Sequence, residues 1–186
     1  MDDDLPLSSD KTLNRLVALT VVILSVFMGI AHIKDDNLVQ AMQLAKSDAV
    51  DTWSEYQASR TKLHVAQTAR IEMALIAGTA PSPAGRTALA DIDRQIAKYQ
   101  GEAPRLRQTA QADEARYDAL NVHDDQFDLS DALISIAVSL AAVAALAESR
   151  PLLGVCWVAG VLGMVFGVAG FAGWSLHPDA LTALLG

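Results

Sequence analysis

Three long apolar runs alternate with polar sequence along the chain. They extend from Leu16 to Ile33, from about Leu129 to Ala147, and from Leu152 to about Leu176. One crossing of a bilayer by an α-helix needs about 20 predominantly apolar residues. The pattern therefore predicts an all-α membrane protein with three transmembrane helices, at residues 13–34, 127–148 and 151–176.

The first apolar run also resembles the core of a secretory signal peptide, because basic residues precede it and Gly29 and Ala31 loosely resemble a cleavage site. The run is long for a signal peptide, so we expect an uncleaved membrane anchor. A polar N-terminal tail at residues 1–12 and a C-terminal tail at residues 177–186 flank the predicted transmembrane region. Only the short segment Glu148–Pro151 separates the second run from the third, and its proline predicts a tight turn into the third helix.

The polar insert at residues 35–126 has helical periodicity. Apolar residues from Leu38 to Leu63 recur at steps of three and four, and the stretch from Gly78 to Gly85 is rich in glycine and proline. A second periodic stretch follows, which we expect Gly101 and Pro104 to break or kink. These features predict a long extramembrane antiparallel helical hairpin, whose alanine-rich faces either pack within the hairpin or contact a partner.

Composition narrows the functional classes. The net charge is -8, and the scattered Lys and Arg residues do not form the basic patch that nucleic acid requires, so we expect no nucleic-acid partner. The single cysteine, Cys156, lies in an apolar run and is typical of a small buried hydrophobe. Because the sequence contains no nucleophile elbow, phosphate loop or dinucleotide fingerprint, we expect neither an enzyme nor a cofactor.

Four segments resemble the DUF4337 family of uncharacterised bacterial membrane proteins. They are Lys34–Met42, the stretch from Asp51 to Ala58, Asn121–Ala132 and Ala169–Leu176. The resemblance covers nearly the whole chain and is specific at both membrane-proximal segments. It implies a location in the bacterial inner membrane and the architecture described above, but it implies no activity and no catalytic residues.

The insert leaves and re-enters the same membrane face, so its two acidic ends should meet. Carboxylates and imidazoles at such an interface favour a divalent cation, with oxygen ligands suiting Ca²⁺ or Mg²⁺ and histidines suiting Zn²⁺. The competing interpretation is that the aspartates cap the start of a helix and complement its dipole. The candidate metal ligands are His32, Asp35, Asp36, His123, Asp124, Asp125 and Asp128.

Asp131 is an ionisable residue just inside the second apolar run, on the same helix face as Ser135 and Ser139. Such residues are costly in a membrane and are often functional. We expect an interfacial or interhelical hydrogen bond in preference to a transport role, although no partner on the first crossing is evident from the sequence.

Small residues on the first and third crossings predict close helix packing. Gly163 and Gly167 form a GxxxG pair, a motif that brings helices into close contact without identifying the partner helix. The motif fits packing within one chain and packing between two copies about equally, and we predict a homo-oligomer that uses the glycine face of the third helix together with the hairpin. The candidate packing residues are Ser25, Gly29, Gly160, Gly163, Gly167 and Gly170.

These observations favour a non-enzymatic inner-membrane scaffold or accessory subunit whose hairpin contacts a second copy or another membrane protein. The alternative is a cation-binding or transport component built on the acidic interface. Lys11, Arg15 and Arg150 fall in short segments that three crossings place on one side of the membrane. The positive-inside rule therefore predicts a cytoplasmic N-terminus and a periplasmic hairpin.

Overall fold

The chain is helical throughout the part that the structure describes. The computed structural model describes residues 11–78, 81–174 and 176 of the 186. They form α1 (Lys11–Ala77), α2 (Pro83–Leu146) and α3 (Arg150–Ala172), with no strand among them. Each helix contains a segment long and apolar enough to cross a membrane, judged by length and composition. The all-α prediction with three such helices is confirmed, and most of both predicted tails lies outside the described residues.

The first two helices are far longer than the predicted elements. Helix α1 has 67 residues and α2 has 64, so neither ends where the sequence changes from apolar to polar near residues 34 and 126. Lys and Asp are tolerated inside helices, and a change of polarity alters a helix's surroundings without interrupting its backbone hydrogen bonds. Gly101 and Pro104 do not end the helix, because α2 continues through both residues, and a kink at this position stays a prediction.

Glycine and proline define the ends of the helices as expected. Helix α1 ends at Ala77, and the next residue, Gly78, has a φ of +61°, a left-handed conformation that glycine adopts without steric cost. Helix α2 begins at Pro83, where a missing N–H costs no helical hydrogen bond. The Ser82 hydroxyl accepts a hydrogen bond from the Gly85 amide at 3.1 Å and so caps this end.

Helix α3 follows α2 after a three-residue connection. Pro151 lies in its first turn, as the sequence indicated. At its other end Gly173 has a φ of +67°, and its amide donates to the Ala169 carbonyl. The Trp174 amide donates to the same carbonyl at 3.0 Å, which satisfies a carbonyl that the end of the helix leaves free.

Contacts divide the chain into two compact units. The first unit comprises Met1–Met42 and Ala119–Gly186, and the second comprises Gln43–Asp118. In the first unit, the start of α1, the end of α2 and α3 share one apolar core. Alanine allows close approach of helices there, since Ala137, Ala141 and Ala144 are fully buried beside Ile134 and Cys156.

The second unit consists of the remainder of α1 and the first half of α2. Arg70 contacts Asp93, whereas Thr52 contacts Asp113, so the two segments run in opposite directions within this unit. Small buried alanines lie between the two segments, so the segments can approach each other closely. These are Ala45, Ala49, Ala66, Ala103 and Ala110.

Candidate functional site

A group of aspartates from two helices lies in the first unit. We define the acidic cluster as Asp35 and Asp36 of α1 together with Asp124, Asp125 and Asp128 of α2. Residues 124, 128 and 131 follow one another at steps of four and three, so their side chains share one face of α2. The acidic segments of α1 and α2 meet in the first unit, because Asp124 and Asp128 lie close enough to Asp35 to repel its charged form.

The capping interpretation of these aspartates is wrong. It required a helix to begin near residue 124, but α2 begins at Pro83 and continues through the cluster. Backbone amides in the middle of a helix already donate to carbonyls four residues earlier, so they offer nothing for an aspartate to cap. The position of these carboxylates needs another explanation.

Proximity and burial disfavour the charged form of Asp35. Burial, followed by repulsion from Asp124, Asp128 and Asp36, raises the pKa of Asp35 from its ordinary value of 3.8 to about 6, while nearby His32 acts in the opposite direction. The Oδ1 atom of Asp35 is buried and has no hydrogen-bond partner within the described residues. Burial and the neighbouring carboxylates Asp128 and Asp125 likewise raise the pKa of Asp124. The cluster is thus a place where a proton or a cation would relieve repulsion.

The two candidate histidine ligands have separate partners. His32 Nε2 lies 2.9 Å from Asp131 Oδ1, which supplies the interhelical partner that the sequence did not reveal. His123 Nδ1 lies 3.3 Å from Gln126 Oε1. Among residues 11–78, 81–174 and 176, no three His, Cys, Asp or Glu side chains are arranged closely enough to hold a metal ion. A bound cation would have to draw the predicted ligands closer together.

Gln126 is a structural residue that the sequence did not predict. It is fully buried, and its Nε2 donates to the carbonyls of Trp174 at 2.8 Å and Leu176 at 2.6 Å. Both carbonyls lie beyond the end of α3, so a side chain of α2 anchors the backbone that follows this helix. A glutamine between aspartates resembles an exposed residue in sequence, and only its partners distinguish it.

The glycine face of α3 packs against α1 and α2 of the same chain. A β-carbon at Gly167 would lie 2.7 Å from the Phe27 ring, and one at Gly163 would lie 2.8 Å from Ile134. Similarly, a β-carbon at Gly160 would lie 3.1 Å from Leu24, and one at Gly170 would lie 2.9 Å from Phe127. Close approach within the chain thus uses this face, and an oligomer would need a different surface.

The two candidate packing residues of α1 lie elsewhere. Ser25 and Gly29 are exposed, and no atom outside the local helix lies within 4 Å of a β-carbon built on Gly29. Thr20, on another part of α1, instead contacts α3 by accepting a hydrogen bond from Trp157 Nε1 at 2.9 Å. The exposed small residues therefore do not contribute to the packing of the first unit.

Comparison with known proteins confirms the resemblance found in the sequence. Neither the curated proteins nor the solved structures gave a match to the chain. A family model described as a domain of unknown function, DUF4337, matches residues 13–173, which include all of α2 and α3 and most of α1. The chain belongs to the DUF4337 family.

Proposed function

We propose that the protein is a non-enzymatic scaffold or accessory subunit of the bacterial inner membrane. In this proposal the segments at residues 13–34, 127–148 and 151–176 cross the bilayer, and residues 35–126 form an extramembrane helical hairpin. The long apolar segments of the three helices support the membrane location. Exposed aliphatic side chains of α1, such as Leu19, Val22 and Val26, are suited to contact with lipid.

Exposed aliphatic side chains near the end of α1 are the main support for the scaffold function. Close to the end of α1, Ile71, Leu75 and Ile76 are 61%, 78% and 81% exposed, although they lie in the polar insert and far along the chain from the apolar runs. Clustered aliphatic side chains exposed outside a membrane typically mark a contact with another protein. We define Ile71, Leu75 and Ile76 as the aliphatic tip, and we propose that it contacts a second copy or another membrane protein.

Affinity purification in mild detergent tests this function. We expect defined proteins, or additional copies of the chain, to co-purify with the wild type and to be lost from Leu75→Glu/Ile76→Glu. Gln57→Glu/Thr61→Glu is the matched control, because it adds the same charge to exposed polar positions of α1. A strictly monomeric particle with no co-purifying protein would contradict the proposal, as would equal losses in both double variants.

A cation-binding or transport component is the second candidate, favoured by the unpartnered buried oxygen of Asp35 beside other carboxylates. Its test is equilibrium binding of Ca²⁺, Mg²⁺ and Zn²⁺ to the purified protein, with elemental analysis of the sample. This candidate requires saturable binding that Asp36→Asn/Asp124→Asn abolishes while the fold is retained. Stoichiometric metal without any protein partner would favour it over the scaffold.

A further inference from the structure

The second unit contains an open cavity whose charged lining side chains are all basic. It has a volume of about 620 Å³, in the range of about 300–1,000 Å³ that is typical of small-molecule sites. Helix α1 contributes Tyr56, Arg60 and His64 to its lining, and α2 contributes Gln100, Pro104 and Arg107. No Asp or Glu is among the described residues that line it, although the chain as a whole has a net charge of -8.

Neither arginine of this lining has a carboxylate partner among the described residues, whereas two other arginines of the same unit do. Arg70 binds Asp93, and Arg94 binds Asp91, so their charges are compensated locally. Arg60 instead donates to the Tyr56 hydroxyl at 3.2 Å, and Arg107 forms no ion pair within the described part of the chain. Two permanently charged guanidinium groups from opposite helices therefore lack an anionic partner at one cavity.

Aromatic contacts hold one of these guanidinium groups in place. The Arg60 guanidinium lies 5.9 Å from the centre of the Tyr56 ring, and the Trp53 ring packs edge-on against Tyr56 at 5.5 Å. Trp53 is itself fixed by a hydrogen bond from its Nε1 to Glu114 at 2.8 Å. A cation–π contact of this kind favours one position of the guanidinium before a ligand arrives, which reduces the entropy lost on binding.

The second helix contributes groups that suit the same ligand. The Gln100 side chain adds an amide that donates hydrogen bonds. The planar fork of Arg107 matches the geometry of a phosphate or carboxylate group.

We propose that this cavity binds a small oxyanion with two or more negative charges, foremost a phosphate ester. Arg60 and Arg107 bind it from the two sides, and the Gln100 amide and the His64 ring contribute hydrogen bonds. The phosphate group belongs either to a free metabolite or to a phospholipid headgroup, which offer the same chemistry to the arginines. The site is independent of the aliphatic tip and of the proposed scaffold function.

Calorimetric titration of the full chain in uncharged detergent tests the site, with pyrophosphate as the probe. We expect saturable binding that weakens at least about tenfold in Arg60→Gln/Arg107→Gln, because two charge-assisted hydrogen-bonding groups are lost. Arg105→Gln/Arg116→Gln is the matched control, since it removes two exposed arginines of the same unit that do not line the cavity. We expect this control to bind within about twofold of the wild type.

Two further arms complete the test. Arg60→Lys/Arg107→Lys preserves the charge but removes the planar fork, so its affinity should lie between those of the wild type and the glutamine variant. A short-chain phosphatidic acid, whose phosphate monoester carries up to two negative charges, identifies the headgroup as the source if it binds more tightly than pyrophosphate with the same dependence on Arg60 and Arg107. Tighter binding of pyrophosphate identifies a free anion. The proposal is overturned if neither probe binds saturably, or if both glutamine variants weaken binding equally.

Discussion

His32 Nε2 lies 2.9 Å from Asp131 Oδ1, and this contact joins α1 to α2 inside the first unit. Both residues fall within segments that we propose to be transmembrane, where a polar side chain is costly unless it has a partner. The contact supplies such a partner and accounts for an aspartate just inside an apolar run. It also makes His32 less available as a metal ligand.

We predict a measurable coupling between these two side chains. In a double-mutant cycle with His32→Ala and Asp131→Ala, the coupling free energy should be about 0.6 kcal/mol, the usual size of a hydrogen bond between membrane helices. Unfolding by a denaturing detergent provides the measurement. His32→Ala combined with Asp113→Ala, a residue of the second unit, is the control and should be additive. Additive effects for His32 and Asp131 would show that their contact has no energetic role.

Two glycines of α3 should respond oppositely to the same substitution. Gly167→Ala places a methyl group 2.7 Å from the Phe27 ring and the Ser130 hydroxyl, so we expect it to destabilise the protein by about 1–3 kcal/mol. Gly154→Ala meets no atom within 4 Å and should be neutral or stabilise by up to about 1 kcal/mol, because alanine favours helix. Thermal unfolding in detergent compares the two. Equal effects would contradict close packing at Gly167.

The sequence predicted helix positions and apolar surfaces better than it predicted helix continuity. The pattern of apolar residues along the chain located the three apolar segments, because a helix that crosses a bilayer needs a long and predominantly apolar stretch. It did not reveal that α1 continues through Asp35 and Asp36, since polarity changes at a membrane boundary resemble those at a helix end. The same ambiguity led to the incorrect capping role of Asp124, which only the full extent of α2 corrected.

Partners across helices were the least predictable feature of the candidate site. The spacing of Gly163 and Gly167 indicated close packing, but a spacing along one helix contains no information about which helix lies opposite. Gln126 gave no signal, because its two acceptors lie about fifty positions away in the chain. Such long-range pairs depend on the arrangement of all three helices.

Stability should fall as the pH rises through the titration range of Asp35. The folded protein binds the Asp35 proton more tightly than the unfolded chain, because its pKa is about 6 in the fold and ordinarily 3.8. The stabilising contribution of that proton is full below the unfolded pKa and is lost as the pH rises through the folded value.

Asp35→Asn should therefore stabilise the protein by about 1 kcal/mol near about pH 8, a value reduced for screening at a half-exposed site, and should have little effect near about pH 4. Melting temperatures at the two pH values provide the measurement. The control is Asp51→Asn, which removes an exposed carboxylate of the second unit and should change stability by less than about 0.5 kcal/mol. A stabilisation that is equal at both pH values would refute the assigned cause.

Loss of the Gln126 amide should destabilise the protein and the end of α3 in particular. Gln126→Glu removes the donor and places a carboxylate against the carbonyls of Trp174 and Leu176, so we expect a loss of about 1–3 kcal/mol of stability. The control is Gln57→Glu at an exposed position of α1, which should change stability by less than about 0.5 kcal/mol. Hydrogen exchange should also accelerate at the end of α3. An unchanged exchange rate at the end of α3 would show that Gln126 does not anchor the backbone that follows this helix.

The proposed orientation predicts which side of the membrane exposes the turn between α1 and α2. Lys and Arg in short segments near membrane ends direct orientation, whereas loops longer than about 60 residues cross largely regardless of charge. Lys11, Arg15 and Arg150 are therefore cytoplasmic in the proposed arrangement, and the hairpin is periplasmic.

Cysteine labelling tests this orientation. The variant Ser82→Cys, in a chain whose buried Cys156 is replaced by Ala, should react with an impermeant thiol reagent in cells with an intact inner membrane. A second cysteine at Arg150 should react only after that membrane is permeabilised. The reverse pattern would place the hairpin in the cytoplasm, and the aliphatic tip would then contact cytoplasmic partners.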